Sequence, residues 1–64
     1  MEPVEELTEL LKNVSDTYYD FVFGVCHFAK RCEGGVQYMI DYIKAHPDAK
    51  SDDIIDALEA FEML

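Results

Sequence analysis

Apolar residues recur at alternating steps of three and four through Val4, Leu7, Leu11, Val14, Tyr18, Phe21, Val25, Phe28 and Cys32, a seam four heptads long. That is the period of an α-helix, and no other feature restricts the fold of this chain as much. Phe21-Val22-Phe23-Gly24-Val25 has the aromatic and β-branched content of a strand, but no second segment offers it a partner, so it is read as helix. The expected fold class is all-α.

Punctuation along the chain divides the pattern. Pro3 suits a first helical turn, where its missing N–H has no intrahelical partner, and Glu5, Glu6 and Glu9 sit near the positive end of the helix dipole. Asn13-Val14-Ser15-Asp16-Thr17 is rich in residues that favour caps over helix interiors. The seam therefore permits one kinked helix or two, about 3–13 and 16–32, with Asn13 or Ser15 capping the second. Gly34-Gly35 stops it, since glycine takes the left-handed conformation that follows a helix end without penalty. Val36, Met39, Ile40 and Ile43 then define a helix over 36–45, which Pro47 ends by pushing His46 out of the α region. Ser51 is the expected N-cap of a last helix over 52–63, with the apolar stripe Ile54, Ile55, Leu58, Phe61 and Leu64. Thr8, Ser15, Thr17, Gly24 and Ala29 flank the seam where a two-stranded coiled coil would carry long charged residues, which favours a bundle. The expectation is a small bundle of three or four helices forming one domain over residues 1–64.

Size and charge narrow the function. A chain of 64 residues buries only roughly 60% of the surface its unfolded form exposes, so a partner or a second copy is a natural supplement to its core. Fourteen Asp and Glu stand against five Lys and Arg, a formal charge of −9. The acids lie toward the two ends, around a neutral, apolar middle over residues 17–35. Lys30-Arg31 is the one adjacent basic pair, so direct contact with DNA, RNA or an anionic membrane is disfavoured and a partner with a basic surface is attracted. The mostly apolar run Phe21–Ala29 is far shorter than the roughly 20 residues of a bilayer span. With no basic-then-apolar leader after Met1 and too few cysteines for a disulfide framework, a cytoplasmic protein is expected.

Motifs that could carry chemistry fall short of it. Asp48, Asp52, Asp56 and Glu59 overlap an EF-hand calcium loop, but Lys50 puts a cation at a ligand position and Asp53 replaces the glycine of the turn. Cys26 and Cys32 are six apart, which on a helix places them on different sides, and His27 and His46 do not complete a zinc spacing with them. No phosphate loop, nucleophile elbow or paired buried carboxylates can be found. No catalytic residue, cofactor or metal ligand is assigned, and the chain reads as non-enzymatic.

Two surfaces remain as candidates. Tyr18 lies on the seam and is expected in the core, whereas Tyr19 and Phe23 form a second line on the same helix, and Tyr38 and Tyr42 lie off the apolar stripe of theirs. These four are the expected interface of a self-associating protein–protein interaction module, a homodimer, because aromatic residues concentrate at interfaces. Packing within one larger core is the competing reading. Asp52, Asp56, Glu59 and Glu62 follow each other at steps of four, three and three, which spaces their carboxylates about 5–6 Å apart along one helix face. Such a row resembles a strand of phosphates, and the alternative function is a nucleic-acid mimic that blocks a nucleic-acid-processing enzyme, as small phage and mobile-element proteins do. A solvated face that keeps the protein soluble explains the same row. A helix-turn-helix over 36–64 would present these carboxylates to phosphates, the wrong sign for DNA binding.

Overall fold

In the computed structural model, residues 2–63 are described, and they form four helices: α1 (Pro3–Lys12), α2 (Tyr19–Arg31), α3 (Gly35–Ala45) and α4 (Ser51–Glu62). No strand occurs among the described residues. Leu64, assigned to the last apolar stripe, lies outside them.

Of the two readings of the seam, the structure shows two helices and not one kinked helix. The N–H groups of Asn13 and Val14 donate to the carbonyls of Leu10 and Leu11, three residues back, and Thr17 N–H donates to Val14 O at 3.1 Å. These tight turns end α1, and at Tyr18 the backbone is extended (φ −149°). Val14 still enters the core from the turn. Helix α2 begins at Tyr19, three residues later than expected, with Tyr18 at its capping position, so neither Asn13 nor Ser15 caps it; Asn13 ends α1 and the Ser15 hydroxyl accepts from Lys50 Nζ at 3.0 Å.

Over α2 and its capping residue the seam holds at Phe21 and Val25, which are buried, and departs at Tyr18 and Phe28. Helix α2 buries Phe21, Val25 and Ala29 at steps of four, while the seam residues Tyr18 and Phe28 are 52% and 46% exposed. The expectation that Tyr18 is core is therefore corrected. Ala29 takes the inward place next to Phe28, and the start of α3 rests directly on its backbone: a Cβ on Gly35 would lie 2.5 Å from the Ala29 carbonyl oxygen. Gly34 turns the chain there with φ +78°, and Gly35 N–H donates to Cys32 O at 2.9 Å.

Helix α3 packs against each of the other three helices. Its Met39, Ile40 and Ile43 meet Leu7 and Leu11 of α1, Phe21 and Val25 of α2, and Ile54, Ala57 and Leu58 of α4 in one buried cluster. Ser51 is the first residue of α4 and not its cap; Lys50 holds the capping position, and its N–H donates to Asp53 Oδ2 at 3.1 Å. No described helix is long and apolar enough to cross a membrane.

Candidate protein-binding surfaces on α2 and α4

Side chains on the outer side of α2 follow from its phase. Once Phe21, Val25 and Ala29 face inward, residues at 19, 23 and 27 point outward one turn apart. Tyr19 and Phe23 are 78% and 60% exposed, with ring centroids 6.2 Å apart and planes 18° from parallel. His27 continues the stack at 6.0 Å from Phe23, Phe28 meets His27 edge-on at 5.5 Å, and the Arg31 guanidinium lies 5.9 Å from the Phe28 ring centre. An aromatic ladder thus runs the length of one helix.

Tyr38 and Tyr42 do not join it. The Tyr38 ring packs on Phe61 of α4 at 4.6 Å between centroids. Tyr42 is half-buried against the core, with the His46 ring 4.4 Å away. Of the four aromatics singled out in the sequence, two lie on the open side of α2, Tyr38 lies at the edge of the α3–α4 seam and stays 37% exposed, and Tyr42 is half-buried near the start of α4. Helical spacing could not separate these cases, because it identifies a side of a helix without saying whether a neighbour covers it.

Two apolar grooves flank α2. The one toward α1, about 430 Å³, is lined by Thr8, Lys12, Thr17, Tyr18, Tyr19, Val22, Phe23 and Cys26, with Lys12 its one charged residue. Within its lining the Thr17 hydroxyl oxygen is buried without a hydrogen-bond partner among the described residues, and the Cys26 thiol lies 3.4 Å from the Thr8 hydroxyl. The other, toward α4, is about 340 Å³, floored by Phe21, Val25 and Leu58, walled by Tyr18, Phe28 and Ile55, and edged by Asp20, Glu59 and Glu62. Gly24 lies in this second groove, and a Cβ there would meet nothing within 4 Å.

Asp52, Asp56, Glu59 and Glu62 are all exposed on α4. Among the described residues the one ion pair is Lys44–Glu6, at 2.6 Å, so no cation neutralises the row. Helix from Ser51 onward spreads these acids along a cylinder, which removes the loop that the calcium-site overlap in 48–59 would require. The four soft side chains are equally scattered: Cys26 faces Thr8, Cys32 ends α2 beside Gly35, His27 stacks on Phe23 and His46 on Tyr42.

Sequence reasoning missed Gly24, Tyr18 and Phe28 as surface residues. A glycine in mid-helix was the available signal for the first, since it costs about 1 kcal/mol relative to alanine. Compared with known proteins, the chain matches no protein-family model, no curated protein and no solved structure.

Proposed function

We propose that this protein is a small, acidic, non-enzymatic interaction module that self-associates as a homodimer through the exposed aromatic face of α2 and the groove between α1 and α2. The observation that carries this reading is the Tyr19–Phe23 pair, more than half exposed on both residues and stacked beside an apolar groove. Contiguous exposed apolar surface of this kind is uncommon on a protein that works alone. Charge supports the choice of occupant. Although the chain carries −9, the lining of this groove contains Lys12 and no carboxylate, so two copies meeting there do not place lining acids against each other. The proposed interface is centred on α2 and does not require Tyr38, which packs on Phe61 while 37% exposed, or Tyr42, which is half-buried against the core.

Light scattering coupled to size-exclusion chromatography, from low to high micromolar concentration, tests the reading. A dimer that Phe23→Glu converts to a folded monomer is the expected result. A monomer at every concentration would overturn it.

A second reading rests on the unneutralised row Asp52, Asp56, Glu59 and Glu62, which suits a nucleic-acid mimic directed at the basic groove of a nucleic-acid-processing enzyme. Changing Asp52, Asp56 and Glu59 together to Asn, Asn and Gln would abolish competition with nucleic acid for such a groove. Unchanged competition would sink this reading.

A further inference from the structure

Gly24 breaks a local rule without any visible return inside the molecule. It sits in the middle of α2, where glycine is disfavoured, yet nothing within 4 Å of a Cβ at that position demands its absence. Such inconsistencies between local preference and fold concentrate at functional sites. The missing side chain opens the floor of the groove between α2 and α4, where another backbone can approach closely. Around that apolar floor the edge is of one sign: Asp20 on α2, Glu59 and Glu62 on α4.

We infer that the α2–α4 groove is a docking site for a cationic amphipathic helix of another protein, one that lays apolar side chains over Gly24 and sets Lys or Arg against Asp20, Glu59 and Glu62. An open trough of about 340 Å³ takes a few side chains of a helix better than it encloses a free small molecule. A second copy of this chain fits poorly. A symmetric pairing would set the acidic edge against itself, because no Lys or Arg lines this groove to meet Asp20, Glu59 and Glu62 of the other copy. The site shares only Tyr18 with the α1–α2 groove and stands whether or not the protein dimerises there.

The test is amide NMR titration of the full chain with a synthetic amphipathic helix of about 18 residues carrying Leu at i, i+3, i+4 and i+7 and Lys on both flanks, beside a matched peptide with Glu for Lys. Saturable shifts confined to residues 18–28 and 55–62 are expected with the Lys peptide. The Glu peptide is expected to bind at least about tenfold more weakly, the combined effect of three exposed ion pairs. Gly24→Leu fills the trough and is expected to weaken binding by a similar factor or more; Gly24→Ala, a milder filling, is expected to raise helix stability while weakening binding. No shifts up to millimolar peptide, equal binding of the Glu peptide, or binding indifferent to Gly24→Leu would each overturn the inference. So would concentration-dependent shifts of the α4 lining, residues 55–62, without peptide, since a second copy would then be the occupant of this groove. Shifts confined to the α1–α2 groove would overturn it too, and would leave the dimer reading to the light-scattering experiment.

Discussion

Asp16 and Ser51, 35 positions apart in the chain, are joined by two hydrogen bonds: the Ser51 N–H donates to Asp16 Oδ1 at 2.8 Å, and its hydroxyl donates to Oδ2 at 3.0 Å. A carboxylate from the turn between α1 and α2 therefore caps the first residue of α4, taking the place of a local cap and lying at the positive end of that helix dipole. The Lys50–Ser15 bond beside it makes the junction two residues wide on each side. Formation of α4 is in this way coupled to the break after α1.

This junction gives stability a defined pH dependence. The Ser51 N–H, and secondarily its hydroxyl, hold the Asp16 carboxyl below the ordinary aspartate range. Because the folded value is depressed, the contribution of Asp16 is complete above its unfolded value, about pH 3.9, and is lost as pH falls through the lower folded value. Urea midpoints of the natural chain and Asp16→Asn are expected to differ most at neutral pH and to converge toward pH 2. A constant difference across that range would show that the ionised form is not what α4 requires. Lys44 has the opposite sign: its bond to Glu6 raises it, so its smaller, solvent-screened contribution is complete below about pH 10.4 and fades above its folded value.

The two glycines of the α2–α3 turn fail differently when substituted. Gly34→Ala places a Cβ in the left-handed region and is expected to cost about 1 kcal/mol. Gly35→Ala puts that atom 2.5 Å from the Ala29 carbonyl oxygen and 3.1 Å from Cys32 Cβ, a backbone contact that cannot swing aside. A loss of about 2–3 kcal/mol is expected, enough to consume much of the margin of so small a domain. Chemical denaturation of both variants ranks them; a milder effect at Gly35 than at Gly34 would mean that α3 slides away from α2 easily.

Much of the fold was legible because helix signals are local. Pro3, the Gly34-Gly35 stop and the apolar steps of Val36, Met39, Ile40 and Ile43 place three helix boundaries within a residue or two. What escaped was decided between distant segments. Ser51 reads as a cap until Asp16 reaches it, and Tyr18 and Phe28 read as core although Tyr18 lies before the start of α2 and Ala29 takes the inward place next to Phe28. The surface was half legible for the same reason: Tyr19 and Phe23 stay uncovered, while Phe61, which no spacing ties to Tyr38, covers part of that ring.

That cover can be measured as a coupling. Tyr38 and Phe61 lie 4.6 Å apart at 37° on neighbouring helices, a geometry that contributes about 0.5–1.5 kcal/mol beyond area burial. A double-mutant cycle of Tyr38→Ala and Phe61→Ala in urea is expected to return a coupling within that range. Additive losses would free Tyr38 to serve an external partner after all.

The phase of α2 is open to an equally direct test, because the seam and the structure disagree about adjacent positions. Phe21 is 3% exposed and belongs to the central cluster, so Phe21→Ala is expected to cost about 3–5 kcal/mol and leave the chain largely unfolded. Phe28 is 46% exposed and touches His27 and Arg31 at the surface, so Phe28→Ala is expected to stay within about 1 kcal/mol of the natural chain. Ala29→Leu is the converse. The larger side chain enters a position that is fully buried in the central cluster, and far-ultraviolet circular dichroism against temperature should show the midpoint fall. Were the uninterrupted heptad seam correct, Phe28→Ala would be as damaging as Phe21→Ala and Ala29→Leu would be tolerated, so three variants decide which face of α2 holds the bundle and which is left for partners.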